Sequence, residues 1–442
     1  DDSTDETTAR ARARVRRWRR KGVRVELVRR EERSGYKAGA LQHGLESADG
    51  EFLLILDADF VPSPDLLHRL LPPFRDREVG MVQARWDHLN EGESWLTRTQ
   101  ALLLDGHFFL EQGGRYAADR FFNFNGTAGI WRRSCLEEAG GWEADTLTED
   151  LDLSYRAQMA GWRFVFLDDV GVPAEIPSRA GALEVQQRRW AQGGIQTARK
   201  LLPRLLRSAR PWPVKLEAVV HLCGHLAHPL TLALGLLLLP SALARRALGM
   251  EELLGLDLLV FAAATVPFLL FYGAAGRRRR RPWPRLLPDV VRTMALGVGL
   301  TAPVSRAVLR GLRSTGDGFV RTPKRGGSPR SAYGGKSPAG DTALKLTLAG
   351  VMAVYAVGAA ATGFYASLPF IALFGGGWLA LGLAGLRDGS PAPVLPAPGE
   401  GLPGQEKKGG HPEDDPEPEG LGPAPGLPEP VQAPVAEECE AA

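Results

Sequence analysis

The chain has 442 residues, which at roughly 150 per domain makes two to four structural units. Its 54 Lys and Arg nearly balance 51 Asp and Glu, for a net charge of +3, while its hydrophobic residues, 44% of the total, bunch into long runs between positions 216 and 386. That composition excludes a collagen, a disulfide-stapled secreted miniprotein and a fully soluble enzyme.

Residues 1–212 read as an α/β domain. The chain opens on Asp1-Asp2-Ser3-Thr4-Asp5, with no Met and no apolar signal segment. A helix is expected over Glu6–Lys21, and one of the opening aspartates could serve as its cap. Val23–Val28 (VRVELV) and Phe52–Leu56 (FLLIL) are apolar runs of strand length. Tyr36–Ser47 between them reads as a helix with Leu41 and Leu45 on one face. Strand, helix, strand in that order predicts a right-handed crossover and a parallel sheet. Asp57-Ala58-Asp59 follows the second run directly, at the carboxyl edge where open α/β sheets bind ligands. Thr148–Ala160 is a further helix, with Thr148 its expected cap.

Residues 213–387 read as a membrane domain. Leu216–Pro240, Leu253–Gly276, Leu344–Gly363 and Ser367–Leu386 each reach the ~20 apolar residues that a ~30 Å hydrocarbon core requires. His221, His225 and His228 in the first run are tolerable if they face a channel or another helix. Leu286–Arg313 carries Arg292, Arg306, Arg310 and Arg313, too many cations to span, and suits an amphipathic helix at the interface. The five arginines Arg277–Arg281 place the 1–212 domain, the loop at 316–336 and the tail on the cytoplasmic side, and anionic lipid headgroups are their expected partners. From Arg387 onward 12 acidic side chains face 3 basic ones, leaving 51 basic against 39 acidic in the remainder. This tail, 388–442, is dense in Pro, Gly and Glu and reads as disordered. Cys135, Cys223 and Cys439 are too few and too scattered for a disulfide framework or a zinc site. Richness in Ala, Arg, Gly and Pro fits a GC-rich bacterial genome, and so a bacterial inner membrane.

Several short motifs carry chemistry. Asp57 and Asp59 form a ligand pair for a hard cation such as Mg²⁺ or Mn²⁺, which also takes diphosphate oxygens. A solvated turn accounts for the same residues. Lys37, at a helix start, can offer its charge to a phosphate, or be an ordinary surface lysine. Glu149 and Asp150 suit the first turn of a helix through its dipole, and Asp150 can equally be a general base for an acceptor hydroxyl. Gln186 and Arg189, three apart, share a helix face, where Arg189 presents a planar fork to diphosphate oxygens. Trp190 offers a flat surface for a sugar ring. A basic helix with a core tryptophan explains that segment too.

In their order along one chain, Asp-Asp, Asp-x-Asp, Thr-Glu-Asp and Gln-x-x-Arg-Trp followed by membrane helices resemble the processive family 2 glycosyltransferases, among them cellulose, mannan and hyaluronan synthases. The likeness is to the cellulose-synthase-like A and C group, the glucomannan and xyloglucan-backbone synthases, and their bacterial homologues. It rests on YKAGAL (Tyr36–Leu41), FNFNGTAGIWR (Phe122–Arg132), AGGW (Ala139–Trp142), LTEDLDLSYRA (Leu147–Ala157) and QQRRW (Gln186–Trp190). FVRTPK (Phe319–Lys324) is similar to the gating loop of such synthases, with Arg321 where cellulose synthases typically have Val.

The resemblance implies a Rossmann-like, parallel-sheet GT-A catalytic fold, an α-helical transmembrane domain and inverting hexosyl transfer from GDP-mannose or UDP-glucose to a β-linked glycan. It puts the nucleotide on Asp1, Asp2 and Asp57, the metal on Asp57 and Asp59, and the diphosphate near Lys37, Gln186 and Arg189. Asp150 becomes the base with Glu149 beside it. Trp190, Asn125, Gly126 and Thr127 face the acceptor, and Phe319, Thr322 and Lys324 fold over the donor. It further implies a first strand and one or two membrane helices ahead of Asp1, so the chain is expected to be a fragment. Two other readings stay open, a single-transfer enzyme acting on a membrane lipid (ceramide or a polyprenyl phosphate) and a non-catalytic membrane partner. Nothing points to nucleic acid.

Overall fold

A computed structural model describes residues 6–250, 254–314 and 339–388, with backbone alone at 254–258 and 261. The expectations for Asp1, Asp2, the loop at 316–336 with Phe319, Thr322 and Lys324, and the tail beyond Asp388 lie outside the described residues.

Among the described residues the sheet has four strands, β1 (Phe52–Ile55), β2 (Val79–His88), β3 (Gly129–Arg132) and β4 (Arg163–Ala174), in the order β1-β3-β2-β4. It is mixed rather than parallel: β3 runs antiparallel to both β1 and β2, and only β2 and β4 are parallel. The expected strand at Val23–Val28 carries no regular secondary structure. Side chains alternate across the sheet. Met81 and Trp131 enter one core with Phe108, Phe122, Phe124 and Phe164, while Val82 and Ile130 enter another with Phe60, Leu70, Phe74 and Val172. Burial on both faces makes the sheet a rigid platform for the loops at its edge.

Helix α1 spans Thr7–Arg20 and α2 spans Tyr36–Ser47, as their residues predict. Helix α3 (Trp95–Gly106) continues through a π turn, His107–Gln112. Helix α4 covers Glu149–Ala160 and α5 covers Ala180–Arg207. The Thr148 hydroxyl does not cap α4. It meets the hydroxyl of Thr197 on α5 at 3.2 Å instead, because α5 passes very close at Gly193, where a Cβ would lie 2.6 Å from Thr148 Cγ2.

Among the described residues three stretches are long and apolar enough to cross a membrane: Trp212–Ala247, Ala339–Thr362 and Tyr365–Arg387. The first is α6 (Trp212–Cys223) and α7 (Ala227–Ala247) joined by a 3₁₀ turn. The expected span at 253–276 coincides with α8 (Leu254–Arg278). The predicted interfacial helix is α9 (Trp283–Arg313); it buries Leu286, Val290, Leu296, Leu300, Val304 and Val308 against neighbouring helices rather than lying free. Helices α10 (Ala339–Thr362) and α11 (Leu368–Arg387) complete the set. His221 Nδ1 lies 2.8 Å from the Tyr155 hydroxyl of α4, and His225 packs on Gly194 of α5, so both histidines face helices.

The arginine run corrects the lipid expectation. Arg278 pairs with Asp168 at 2.7 Å, Arg279 with Asp87 and with Asp105 (3.3 Å), and Arg281 with Asp105 and Glu91, both at 2.9 Å. The Asp105 side chain is 1% exposed. Three of the five arginines are therefore held by carboxylates of the α/β domain, and the end of α8 lies against that domain.

Candidate active site

The register of β1 with β3 builds the site. Ile55 pairs with Gly129 in an antiparallel ladder, so two residues further out Asp57 meets Thr127, and the Asp57 N–H donates to Thr127 Oγ1 at 2.8 Å. Helix α2 starts from a left-handed Gly35, in a turn held by Arg30, whose guanidinium donates to the carbonyls of Ser34 (2.7 Å) and Tyr36 (3.0 Å). Its first turn delivers Lys37, whose Nζ reaches Asp57 Oδ1 at 2.6 Å and the Gly126 carbonyl at 2.8 Å. Asp59 is half-buried two residues beyond Asp57.

The Asn125-Gly126-Thr127 turn is held from several sides. Gln83 Oε1 accepts from the Asn125 N–H at 3.0 Å, and Gln83 Nε2 donates to the Thr127 carbonyl at 3.0 Å. His107 Nε2 lies 3.2 Å from Asn125 Oδ1, and Asn125 Nδ2 donates to Gln112 Oε1 at 2.8 Å. Gly126 has φ +79° and Ala128 φ +56°, a concentration of left-handed backbone typical of functional turns. A Cβ on Gly126 would sit 3.0 Å from Asp150 Oδ2 and 3.6 Å from Lys37 Nζ. Gly126→Ala is therefore expected to cost about 1–3 kcal/mol of stability through backbone strain, and also to displace Asp150. Gly22→Ala is the control, since Gly22 has φ +81° with nothing within 4 Å. Thermal melts should place the two variants close together, while turnover falls only in Gly126→Ala.

Glu149 is buried and Asp150 half-buried in the first turn of α4. Asp150 Oδ1 accepts from the Leu151 N–H at 2.8 Å, and the Ser154 hydroxyl bridges the Asp150 carbonyl (2.5 Å) to the Phe124 N–H (2.9 Å). Burial pushes the Asp150 carboxyl up to about 7, with Glu149 adding to it, while the Leu151 N–H, Lys37 and Arg189 pull it down. Burial works against the Lys37 charge, but Asp57, Glu149 and Asp150 outweigh it and hold that ammonium above its ordinary range. Burial holds the Arg189 guanidinium below its ordinary value against the same three carboxylates. Gln186, Arg189 and Trp190 are half-buried on α5. The structure thus brings Lys37, Asp57, Gly126, Thr127, Glu149, Asp150 and Arg189 into one electrostatic cluster.

Sequence reasoning missed Gln83, His107, Gln112 and Ser154. Only Ser154 left a signal, four residues after Asp150 and so one helical turn away. It also missed Glu143, Asp145 and Asp152, whose ligand atoms lie within 4.8 Å of one another. A cation already sits among them: Lys200 Nζ reaches the three at 2.5, 2.8 and 3.0 Å. The fully buried Asp152 also pairs with Arg156 at 2.8 Å, so Lys200→Met leaves only its Oδ1 side unmet and is expected to cost about 1–3 kcal/mol, read as a lower thermal midpoint.

Residues 1–193 match the profile of the glycosyltransferase like family 2. The matched residues hold the α/β domain with its mixed sheet, which is thus similar to that family, and three apolar stretches follow it among the described residues. Glucomannan 4-beta-mannosyltransferase 1 of Oryza sativa subsp. japonica is 40% identical over 255 residues, 55% of this chain and 48% of that protein. Glucomannan 4-beta-mannosyltransferase 2 of Arabidopsis thaliana is 43% identical over 215 residues, 48% of this chain and 40% of that protein. The chain spans half or less of the length of these relatives. Among solved structures, the mannosyltransferase PcManGT from Pyrobaculum calidifontis, in complex with GDP-Man and Mn²⁺, aligns with a TM-score of 0.45 and 23% identity over 70% of this chain and 75% of that one.

Proposed function

We propose that the protein is a membrane-embedded inverting glycosyltransferase that moves a hexose, mannose first among candidates, from a nucleotide sugar to the end of a β-linked polysaccharide. The observation that carries this reading is the convergence of Asp57, Lys37, Asp150 and Arg189 around the Gly126 turn. In the reaction, Asp150 takes the proton of an acceptor hydroxyl as that oxygen bonds to the sugar C1. The bond from C1 to the diphosphate oxygen breaks on the opposite face, and the electron pair leaves with the nucleoside diphosphate. An unassisted hydroxyl, with a pKa of about 15, is a poor nucleophile, and a positioned base supplies about 10²–10⁴ in rate. Arg189 and Lys37 meet the negative charge of the leaving group, and Trp190, Asn125, Gly126 and Thr127 orient the acceptor. Gln186 lies one turn from Arg189, on the donor side.

The donor set fits a divalent ion and a diphosphate. Asp57 and Asp59 are carboxylates one residue apart at a strand end, and only one oxygen of Asp57 is engaged by Lys37. They would hold Mg²⁺ or Mn²⁺, whose charge would offset that of the departing diphosphate. Asp1, Asp2, Phe319, Thr322 and Lys324 complete the proposed donor site. The contact of Arg278, Arg279 and Arg281 with the α/β domain supports placing both on the cytoplasmic face.

The test uses the full chain in membranes, given radiolabelled GDP-mannose and UDP-glucose separately and together, with Mg²⁺ or Mn²⁺. An alkali-insoluble polymer sensitive to a linkage-specific mannanase is the expected product. Label confined to the organic phase would instead define a lipid glycosyltransferase, and no incorporation from either donor would refute both.

A further inference from the structure

Helix α5 has a second ionic face, turned away from Asp150. Glu184 pairs with Lys345 of α10, both side chains fully buried. One turn further, Arg188 pairs with Asp341 of α10, whose side chain is 7% exposed, and lies 3.3 Å from Glu184 Oε2. Arg306 of α9 closes on the same Asp341. The contacts are two rungs of a ladder between α5 and α10, Glu184 with Lys345 and Arg188 with Asp341. Each rung is four residues from the next on both helices, about 6 Å apart along the axis.

The order of charges matters more than their number. Along α5 the sign runs negative then positive, and along α10, from Asp341 to Lys345, it also runs negative then positive. In the observed register both rungs attract. A slip by one rung would face Glu184 with Asp341, or Arg188 with Lys345, bringing like charges together in a buried setting where repulsion is weakly screened. Buried ion pairs add little net stability over apolar residues, and their best-attested use is to specify register. Arg189 and Trp190 follow Arg188 directly, so whatever fixes the register of Arg188 fixes theirs.

We propose that Asp341 and Lys345 are positioning residues that key α5 to membrane helix α10 and thereby set the placement of Arg189 and Trp190 relative to Asp150. The proposal rests on the transfer reading above. It makes the reaction site sensitive to movement of a membrane helix without any contact between α10 and substrate.

The discriminating variant is the double substitution E184K/K345E. It keeps an attractive pair on both rungs, while a slipped register is now attractive as well and the Glu184–Arg188 contact within α5 is lost. Spin labels at Arg204→Cys on α5 and Val354→Cys on α10 report the register by pulsed dipolar spectroscopy in the full chain, with Cys223 and Cys439 replaced by Ser. Both label positions are exposed. The expected result is a broadened or split distance distribution, turnover about tenfold lower and donor KM within about twofold. A single unchanged distance, or a broadened one with unchanged turnover, would overturn the proposal. Should E184K/K345E fail to fold, E184M/K345M removes one rung with apolar residues, which folds tolerate, and the same outcomes decide. Lack of incorporation by the unsubstituted chain would count against the transfer reading instead, and the distance distribution would then decide the keying by itself.

Discussion

Asp150→Asn is expected to lower turnover by about 10²–10⁴-fold, the span a positioned general base supplies, with little change in donor KM. The substituted amide keeps the shape of the side chain and can still accept from the Leu151 N–H, so the backbone of α4 has no reason to move. It cannot take up a proton. The pH profile checks the assignment separately. Burial, then Glu149, pushes the Asp150 carboxyl up to about 7, and only the ionised form is a base. In the free enzyme kcat/KM should therefore fall as pH drops through about 7, roughly tenfold per unit below it, where an ordinary carboxylate would hold its rate down to about pH 4. The linkage to stability has the opposite sense. A carboxyl whose folded pKa is raised binds its proton more tightly in the native state, so its contribution to stability is present at low pH and lost as pH rises from the ordinary carboxylate range through about 7. Removing the charge should make Asp150→Asn at least as stable as the unsubstituted chain above pH 7. A variant that melts earlier and loses activity in proportion would point to a structural role instead.

Much of this arrangement was legible before the fold was known. The bounds of α2 follow from the apolar spacing in YKAGALQHGLES, and α10 and α11 follow from hydropathy, because those signals are local. What escaped is non-local. β3 is four residues long, too short to show alternation, and its antiparallel insertion between β1 and β2 makes the sheet mixed. That same insertion puts Thr127 opposite Asp57, so a strand order invisible in the sequence sets the site's geometry. The Thr148 hydroxyl goes to Thr197 instead of capping α4, because α5 approaches at Gly193, some 45 positions away in sequence. The arginines at the end of α8 read as lipid ligands until Asp87, Asp105 and Asp168, from three different elements, are seen around them. The charges at Glu184, Arg188, Asp341 and Lys345 look like ordinary four-residue helix pairs. Their alternation acquires meaning only once Glu184 is seen to reach Lys345 and Arg188 to reach Asp341.

Arg189→Ala should be the second most damaging change, costing about 10²–10³ in turnover, as loss of a charge-stabilising donor does. The physical ground is its setting. The guanidinium is held in a cluster with Glu149, Asp150 and Asp57 despite a burial that disfavours its charge, and like Lys37 it acts on the Asp150 carboxyl. Arg189→Lys should recover only part of the loss, because an ammonium lacks the planar fork that meets two diphosphate oxygens at once. A second consequence separates this role from mere support of α5. Arg189 pulls the Asp150 carboxyl downward, so removing its charge lets that carboxyl rise further, and the acid limb of kcat/KM should move to higher pH in Arg189→Ala while staying in place in Arg189→Lys. A helix that had simply shifted would lower the whole profile without moving its limb. Measuring kcat/KM from pH 5 to 9 for the two variants decides the matter; identical limbs would remove Arg189 from the cluster that governs the base.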